Sequence, residues 1–372
     1  MLTTQELRRY NRQILLPELG TAGQERLKNG SVLVIGAGGL GSPALLYLAA
    51  AGVGTIGILD FDKVDTSNLQ RQILYGSADA GMSKVVRAAA RLQELNPTIN
   101  IHKHEGMLNA TNAFEIISSY DVVVDGSDNL PTRYLVNDAC IILKKTLIYG
   151  AIFQFEGHVS VFNQPNGDGT RGPNYRDLFP EPPPPEMVPS CNVSGVLGTL
   201  PGIIGSMQAS EAIKVLAGIG KTLSGRLMIF DSLDFSTHFL NINSNSGNVP
   251  ITKLIDYDAF CNPAAHSHTI KTISAAEVHH LLAERGIQLI DVREPFEYDL
   301  VNIGGINIPL DDILNKLDSI KKDMPVVLHC KSGQRSLEAA RRLTEKGFNN
   351  VSNMTGGLIA WRNEVDDGLE LY

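Results

Sequence analysis

The sequence predicts an α/β fold in two parts: a larger domain on an open parallel sheet, then a small α/β domain. Three observations lead there. Residues 31–35 read as a buried strand running through Gly36-Ala37-Gly38-Gly39-Leu40-Gly41 into an apolar helix, and a second strand from Thr55 delivers an acid, Asp60. The chain has 372 residues, more than the roughly 250–300 that a single hydrophobic core serves. After a polar stretch at 243–268, helix and strand patterns restart and run to the end of the sequence.

The glycine turn makes the first part Rossmann-like. Glycine at 36, 38 and 41 permits a tight turn and close backbone approach, and the helix that follows points free N–H groups and its positive dipole end at an anion. Asp60 stands where an acid can hydrogen-bond a ribose hydroxyl. The plain alternative is a glycine turn that only lets a helix pack on a strand; the strand, helix, strand and acid in series favour a nucleotide. Which nucleotide the fingerprint does not say, a nicotinamide dinucleotide being the default.

A hydrophobic content of 43% and a charged content of 19% describe an ordinary globular protein, and a net charge of −8 disfavours nonspecific nucleic-acid binding. No apolar run reaches the ~18 residues of a membrane span. The polar, charged N-terminal stretch does not read as a signal peptide. Cys140, Cys191, Cys261 and Cys330 form no C-x-x-C pair, which fits a reducing cytoplasm, the expected location.

Residues 3–27 have a helical pattern rich in arginine (Arg8, Arg9, Arg12, Arg26) and are expected to present a solvated charged face. Beyond Asp60 comes a polar loop with Asp62, Asn68, Arg71 and Gln72. Ser83 caps a helix to Leu95, which puts Lys84 in the first turn; a cation where the dipole favours anions makes sense beside bound phosphate. The strand Val122-Val123-Val124-Asp125 leads through Gly126-Ser127-Asp128-Asn129 into another helix. Ligands of an open parallel sheet lie beyond the carboxyl ends of its strands, so the glycine turn, Asp60 and Asp128 line one crevice. Asp128 either reaches a metal on phosphate or serves as a cap or turn acid.

Two strands follow within 146–161, then a long loop, 163–189, that breaks all periodicity and ends at Ser190-Cys191-Asn192. Cys191, on a polar crossover, reads as a reactive thiol, whereas Cys140, inside an apolar run, reads as core packing. A helix to Leu216 and strands at 226–231 and 237–242 close the first part. In the second, Ser274 and Glu277 form a capping box, with strands at 288–292, 306–308, 326–329 and 351–353 and helices at 337–346 and 358–363. Cys330-Lys331-Ser332-Gly333-Gln334-Arg335-Ser336 joins a buried strand to a helix. Inward amides, the helix dipole and Arg335 would favour a standing thiolate or persulfide on Cys330, the alternative being a small residue in an ordinary turn.

These residues carry a resemblance. The glycine turn, Asp60-Phe61-Asp62, Asn68-Leu69-Gln70-Arg71-Gln72, Lys84, Asp128-Asn129 and Arg9-Tyr10-Asn11-Arg12-Gln13 resemble the MoeB/ThiF adenylyltransferases of the ubiquitin-activating-enzyme superfamily over 1–245. Residues 270–372 resemble a rhodanese domain by Asp291-Val292-Arg293-Glu294-Pro295 and the Cys330 loop, with 246–269 as linker. The pair is similar to fused proteins that activate sulfur carriers for molybdopterin synthesis, thiamine synthesis or tRNA thiolation.

The resemblance implies ATP in the crevice, held by Gly36, Gly38, Gly39, Gly41, Asp60, Asp62, Asn68, Arg71, Gln72 and Lys84, with Asp128 on Mg²⁺ and Arg12 reaching phosphate from the partner subunit of a homodimer. It implies adenylylation of the Gly-Gly carboxylate of a small ubiquitin-like carrier, catalysed with Arg71 and Asp128. Sulfur would then come from a persulfide on Cys330, assisted by Arg335, with Cys191 resolving or carrying the acyl group. A cysteine desulfurase or thiosulfate would supply the sulfur, and both thiols should be accessible in some conformation. No nucleic acid or membrane partner is implied.

One departure stands out. Members usually hold structural zinc through two C-x-x-C pairs, which fall here at Asn174-Tyr175-Arg176-Asp177 and near Cys261, so no zinc is expected. A mixed site of Asp177, Cys261, His266 and His268 is weighed against a solvated linker, and the linker is preferred. The rival functions are a nicotinamide-dependent oxidoreductase fused to a sulfurtransferase, and a noncatalytic carrier-binding scaffold.

Overall fold

The computed structural model describes residues 1–183, 195–244, 250–261, 270–284 and 286–371. The chain divides into two compact units, Met1–Cys261 and Asn262–Tyr372.

Strand β1 (Ser31–Ile35) is central to the first unit because its sequence is apolar on both sides: Val32 and Val34 enter one hydrophobic cluster, Leu33 and Ile35 the other. It pairs in parallel with β2 (Thr55–Asp60) and, on its other side, with β4 (Val122–Asp125). β3 (Asn100–Glu105) adds to β2 and β5 (Thr146–Phe153) to β4, both in parallel. β6 (Glu156–Phe162), β7 (Arg226–Asp231) and β8 (Thr237–Asn241) continue the sheet antiparallel, giving the order β3-β2-β1-β4-β5-β6-β7-β8 among the described residues. Strand order reverses at β1 and β4, the switch point where an open sheet leaves a crevice.

Two helices cover the crevice side of the core. Gly41–Ala51 follows the glycine turn, and Leu200–Ala217 packs across it so closely that a Cβ at Gly205 would strike the Leu40 carbonyl. Cys140 is wholly buried on the helix Leu130–Ile142, and burial pushes its thiol far up, as core packing requires.

The N-terminal stretch is helical, as its pattern predicts, but broken. It forms three short helices, Thr4–Arg9, Asn11–Ile14 and Gly20–Asn29. Two of its arginines hold backbone carbonyls instead of facing only water. Arg9 Nη1 donates to Leu95 O at 3.0 Å and Arg26 Nε to Ala217 O at 2.6 Å, each at the carbonyl-rich end of a helix where a cation is favoured.

In the second unit β9 (Lys271–Ile273), β10 (Gln288–Asp291), β11 (Ile306–Asn307), β12 (Val326–His329) and β13 (Val351–Met354) form a parallel sheet in the order β11-β10-β12-β13-β9 among the described residues. The Ser274/Glu277 capping box opens the helix Ala275–Ala283 as expected, with Ser274 accepting from Glu277 N. Among the described residues no helix is long and apolar enough to cross a membrane.

Candidate active site

The glycine turn is held from both sides at Ala37. Asp60 Oδ2 accepts its N–H at 2.8 Å, and the Tyr75 hydroxyl donates to its carbonyl at 2.8 Å. Gly36 sits at φ +85°, and a Cβ there would press on the Gly126 carbonyl. Gly38 is different. A Cβ on it would meet nothing nearer than Gln72 Nε2 at 3.5 Å, so the fold itself leaves room there, as close approach of a ligand to the backbone would need.

Asp60 is buried, and burial chiefly raises its carboxyl pKa, while Lys84 and the N–H groups of Asp62 and Ala37 pull it back. Its other oxygen accepts Asp62 N at 2.8 Å. Each carboxylate oxygen keeps a second lone pair, so pinning the turn does not prevent it from accepting a ribose hydroxyl. Lys84, buried in the first turn of Lys84–Leu95, sets its ammonium 2.8 Å from Asp62 Oδ2. The stem of Arg71 lies over Gly39, and its guanidinium donates to Asn68 Oδ1 at 3.1 Å. Thus Gly36, Gly38, Gly39, Gly41, Asp60, Asp62, Asn68, Arg71, Gln72 and Lys84 are brought to one crevice.

Asp128 is exposed beyond the carboxyl end of β4, two residues from the glycine that abuts Gly36. It is not the cap of the next helix. Asn129 fills that role, its Oδ1 accepting Thr132 N at 2.9 Å. The turn leaves three buried polar atoms without a hydrogen-bond partner among the described residues: Ser42 Oγ, Gln72 Oε1 and Ser127 Oγ. Buried polar atoms are nearly always paired, and these three flank the glycine turn, as a polar ligand would require.

Arg12 is not brought there. Its neighbour Gln13 bonds Ala51 O at 3.1 Å, at the far end of the helix Gly41–Ala51 from the glycine turn. Eleven residues of helix separate the two ends by roughly 16 Å. Tyr75 and Arg133 escaped the sequence reading. Arg133 lies in the first turn of Leu130–Ile142 and donates to Ser127 O at 3.3 Å, so the signal that marked Lys84, a cation in a first turn, would have found it. Tyr75 carried no such signal. Cys191 lies outside the described residues.

In the second unit Cys330 follows β12, and its sulfur faces its own loop: Gly333 N donates to Sγ at 3.1 Å and Ser336 Oγ lies 3.5 Å away. The thiol is buried, 1% exposed, in this conformation. The loop is tied to the start of the last helix, with Leu358 N donating to Cys330 O and Ile359 N to Lys331 O. Arg335, expected to assist the sulfur, forks onto Glu297 at 2.5 and 2.7 Å. Behind the loop Arg293 is wholly buried, bidentate on Asp291, and also donates to Glu297 O and Val301 O. His329, wholly buried beside Cys330, is held down to about 4 mainly by burial and is neutral at pH 7.

With this geometry in hand, the ThiF family pattern matches residues 10–251 and the rhodanese-like domain pattern residues 274–364. The chain belongs to the ThiF family. A probable adenylyltransferase/sulfurtransferase MoeZ of Mycobacterium tuberculosis is 45% identical over 379 residues, covering 100% of this chain and 96% of its own. The adenylyltransferase and sulfurtransferase MOCS3 of Drosophila yakuba is 42% identical over 397 residues, covering 100% and 86%. The crystal structure of PaaA (TM-score 0.55, 23% identity, 65% of this chain and 75% of that one) shares the fold of the first unit's sheet and helices. So does that of E. coli MccB with MccA-N7isoASN (TM-score 0.55, 19% identity, 64% and 74%). This ThiF-family protein is an adenylyltransferase with sulfurtransferase activity, and adenylyl transfer implies ATP.

The zinc common among such proteins does not fit the residues here. Asn174 and Asp177 are engaged with each other as a capping box, Asp177 Oδ2 accepting Asn174 N at 2.8 Å. Between them Arg176 puts its guanidinium over Tyr134 and Phe260, 4.9 and 4.7 Å from the ring centres, and forks onto buried Asp138 at 2.9 and 2.8 Å. Tyr257 donates to the same carboxylate at 2.9 Å. Cys261 is buried, with burial pushing its thiol up to about 11, and it is a single thiol where a tight structural site uses four. His266 and His268 lie outside the described residues. The stretch expected as solvated linker thus contributes the helix Tyr257–Cys261 to the first unit's core, because an organic cation ties it down.

Arg176→Ala should therefore destabilise this unit by about 3–5 kcal/mol by stranding a buried carboxylate. Arg176→Lys should recover little, since one ammonium cannot reproduce the fork and the stacking. Thermal melts with and without a strong zinc chelator should superimpose in the unsubstituted protein; a melting point that drops on chelation contradicts the clamp.

Proposed function

We propose that this protein adenylylates the C-terminal Gly-Gly carboxylate of a small ubiquitin-like sulfur carrier and then converts it to a thiocarboxylate. The observation that carries the reading is the crevice at the β1/β4 switch point, where an uncrowded Gly38, three orphaned polar atoms and the cations Arg71 and Lys84 converge. In this reading Asp60 takes the ribose, and the turn amides with Arg71 and Lys84 take the phosphates. Asp62 and Asn68 hold the two cations in place, and Gln72 turns its amide to the nucleotide. Lys84 must loosen from Asp62 to do so, and the phosphates replace that carboxylate as its partner.

Asp128, a single exposed carboxylate beside the phosphates, fits Mg²⁺, which keeps to one or two carboxylates plus phosphate oxygens. The metal would supply charge neutralisation. The carrier carboxylate attacks the α-phosphorus, the bond to the bridging oxygen breaks, and pyrophosphate leaves. Two anions meet in this step, so Arg71 and Lys84 lower the barrier by offsetting their repulsion. Arg12, which its own protomer holds far from the turn, would act from the partner subunit of a homodimer. A persulfide on Cys330 then attacks the acyl-adenylate carbonyl and AMP leaves, with Cys191 resolving the resulting acyl persulfide.

The test is to incubate the protein with ATP, Mg²⁺, a sulfur donor and purified Gly-Gly-ending carriers. One carrier should gain the mass difference between sulfur and oxygen. No pyrophosphate release with any carrier would refute the proposal.

A further inference from the structure

The end of the first unit's sheet opposite the glycine turn holds a cavity of about 490 Å³. It opens at the amino ends of three parallel strands: Gly30 leads into β1, Asp121 leads into β4, and Thr146 begins β5. The five residues of β1 place it roughly 16 Å from the turn, so it is separate from the nucleotide crevice.

Three cations line this cavity: Arg26, Lys144 and Arg171. Each arginine is anchored through Nε. Arg26 Nε donates to Ala217 O at 2.6 Å, and Arg171 Nε donates to Asn163 O at 2.8 Å and Asn163 Oδ1 at 3.2 Å. This fixes both guanidinium planes, yet among the described residues neither their terminal nitrogens nor the Lys144 ammonium has a partner, and no carboxylate comes within ion-pair distance of the three. The one acid of the lining, Asp121, is occupied elsewhere, its Oδ2 accepting the N–H and the hydroxyl of Ser31 at 2.9 and 2.7 Å. The cavity therefore keeps a surplus of two positive charges in a chain whose net charge is −8.

Cations at this end of an α/β sheet commonly answer the carbonyl ends of helices, and Arg26 does so at Ala217. Arg171 does not, because its partner Asn163 follows the strand β6. It is half-buried, and burial draws its pKa down, the mark of a cation that has lost water without gaining a carboxylate.

We propose that this cavity is a binding site for a small organic phosphate, distinct from the site for ATP. The terminal nitrogens of two fixed guanidinium groups offer the planar double donors that phosphate oxygens accept, and Lys144 adds a point charge. The surplus of two charges matches a phosphate monoester dianion. A volume of about 490 Å³ lies within the roughly 300–1,000 Å³ of small-molecule sites and exceeds what inorganic phosphate alone fills. Val215 and Leu216 in the same lining give the organic part apolar contact.

The experiment titrates the full chain with glycerol 3-phosphate by calorimetry, with glycerol and inorganic phosphate as comparisons. One equivalent of the ester should bind, more weakly as salt is raised, while glycerol should not bind. Lys144→Gln changes an exposed side chain that bonds nothing among the described residues, so its melting point should be unchanged and its affinity for the ester about tenfold lower. Arg171→Gln should lose at least as much, and a melt reports whether losing the Asn163 contacts has loosened it. Arg71→Ala, in the other anion site, should bind the ester as the unsubstituted protein does. No saturable binding of the ester, or binding that Lys144→Gln leaves unchanged, overturns the inference. Binding that Arg71→Ala abolishes places the ester in the nucleotide crevice and overturns it too. Inorganic phosphate should bind more weakly than the ester, and equal affinity overturns the organic part of the assignment.

Discussion

Cys330→Ser should lower sulfur transfer by more than about 10³-fold, since the attacking atom is gone and a hydroxyl in the same loop is a far weaker nucleophile. Carrier-dependent exchange of pyrophosphate into ATP should be unchanged, because the described residues assigned to the nucleotide crevice belong to the first unit. The substitution is small, and serine can still accept from Gly333 N, so the loop should keep its shape. Mass spectrometry of the carrier and an exchange assay on the same preparation give the two readings together. Retained thiocarboxylate formation would show that another thiol receives the sulfur.

Arg71→Ala should have the opposite signature. Exchange should fall by about 10²–10³-fold, the usual cost of removing one positioned charge donor from a reaction at phosphate. Transfer of sulfur from a donor to cyanide should be unaffected. The effect belongs to geometry as well as charge: the guanidinium is already held by Ser67 O and Asn68 Oδ1 while its stem lies by Gly39. Arg71→Lys should therefore recover only part of the loss. A steady-state and pre-steady-state comparison with the unsubstituted protein separates binding of ATP from the chemical step, and an unaltered exchange rate in Arg71→Ala would remove this residue from the proposed machinery.

Much of this architecture was legible because it is written in short-range pattern. The strands at 31–35, 122–125 and 226–231 and the Ser83-capped helix emerge with the bounds their apolar runs and caps imply. β3 escaped notice for a physical reason. Asn-Ile-His-Lys-His-Glu lies at the sheet edge with most of its residues exposed or half-buried, so no apolar period marks it, and only pairing with β2 makes it a strand. The three-residue β9 is silent in the same way.

The site divides along the same line. The glycines, Asp60, Lys84 and Cys330 announce themselves, since each chemistry demands a residue type at a fixed offset from a strand end or helix start. Partners of these residues do not. That Arg335 meets Glu297, 38 positions earlier, or that Arg176 joins Asp138 and the rings of Tyr134 and Phe260, depends on which helices the fold lays side by side.

What the sequence by itself determined, then, is the two α/β units, their phosphate turn and their thiol loop, because hydrophobic period, capping and glycine placement act over a few residues. What only the tertiary structure decided is where each charge is spent: Lys84 on Asp62, Arg335 on Glu297, Arg176 on Asp138, and Arg12 kept away from its own crevice. Ion pairs act through space over a few ångströms irrespective of chain separation, and no local pattern of residues records which carboxylate will arrive there.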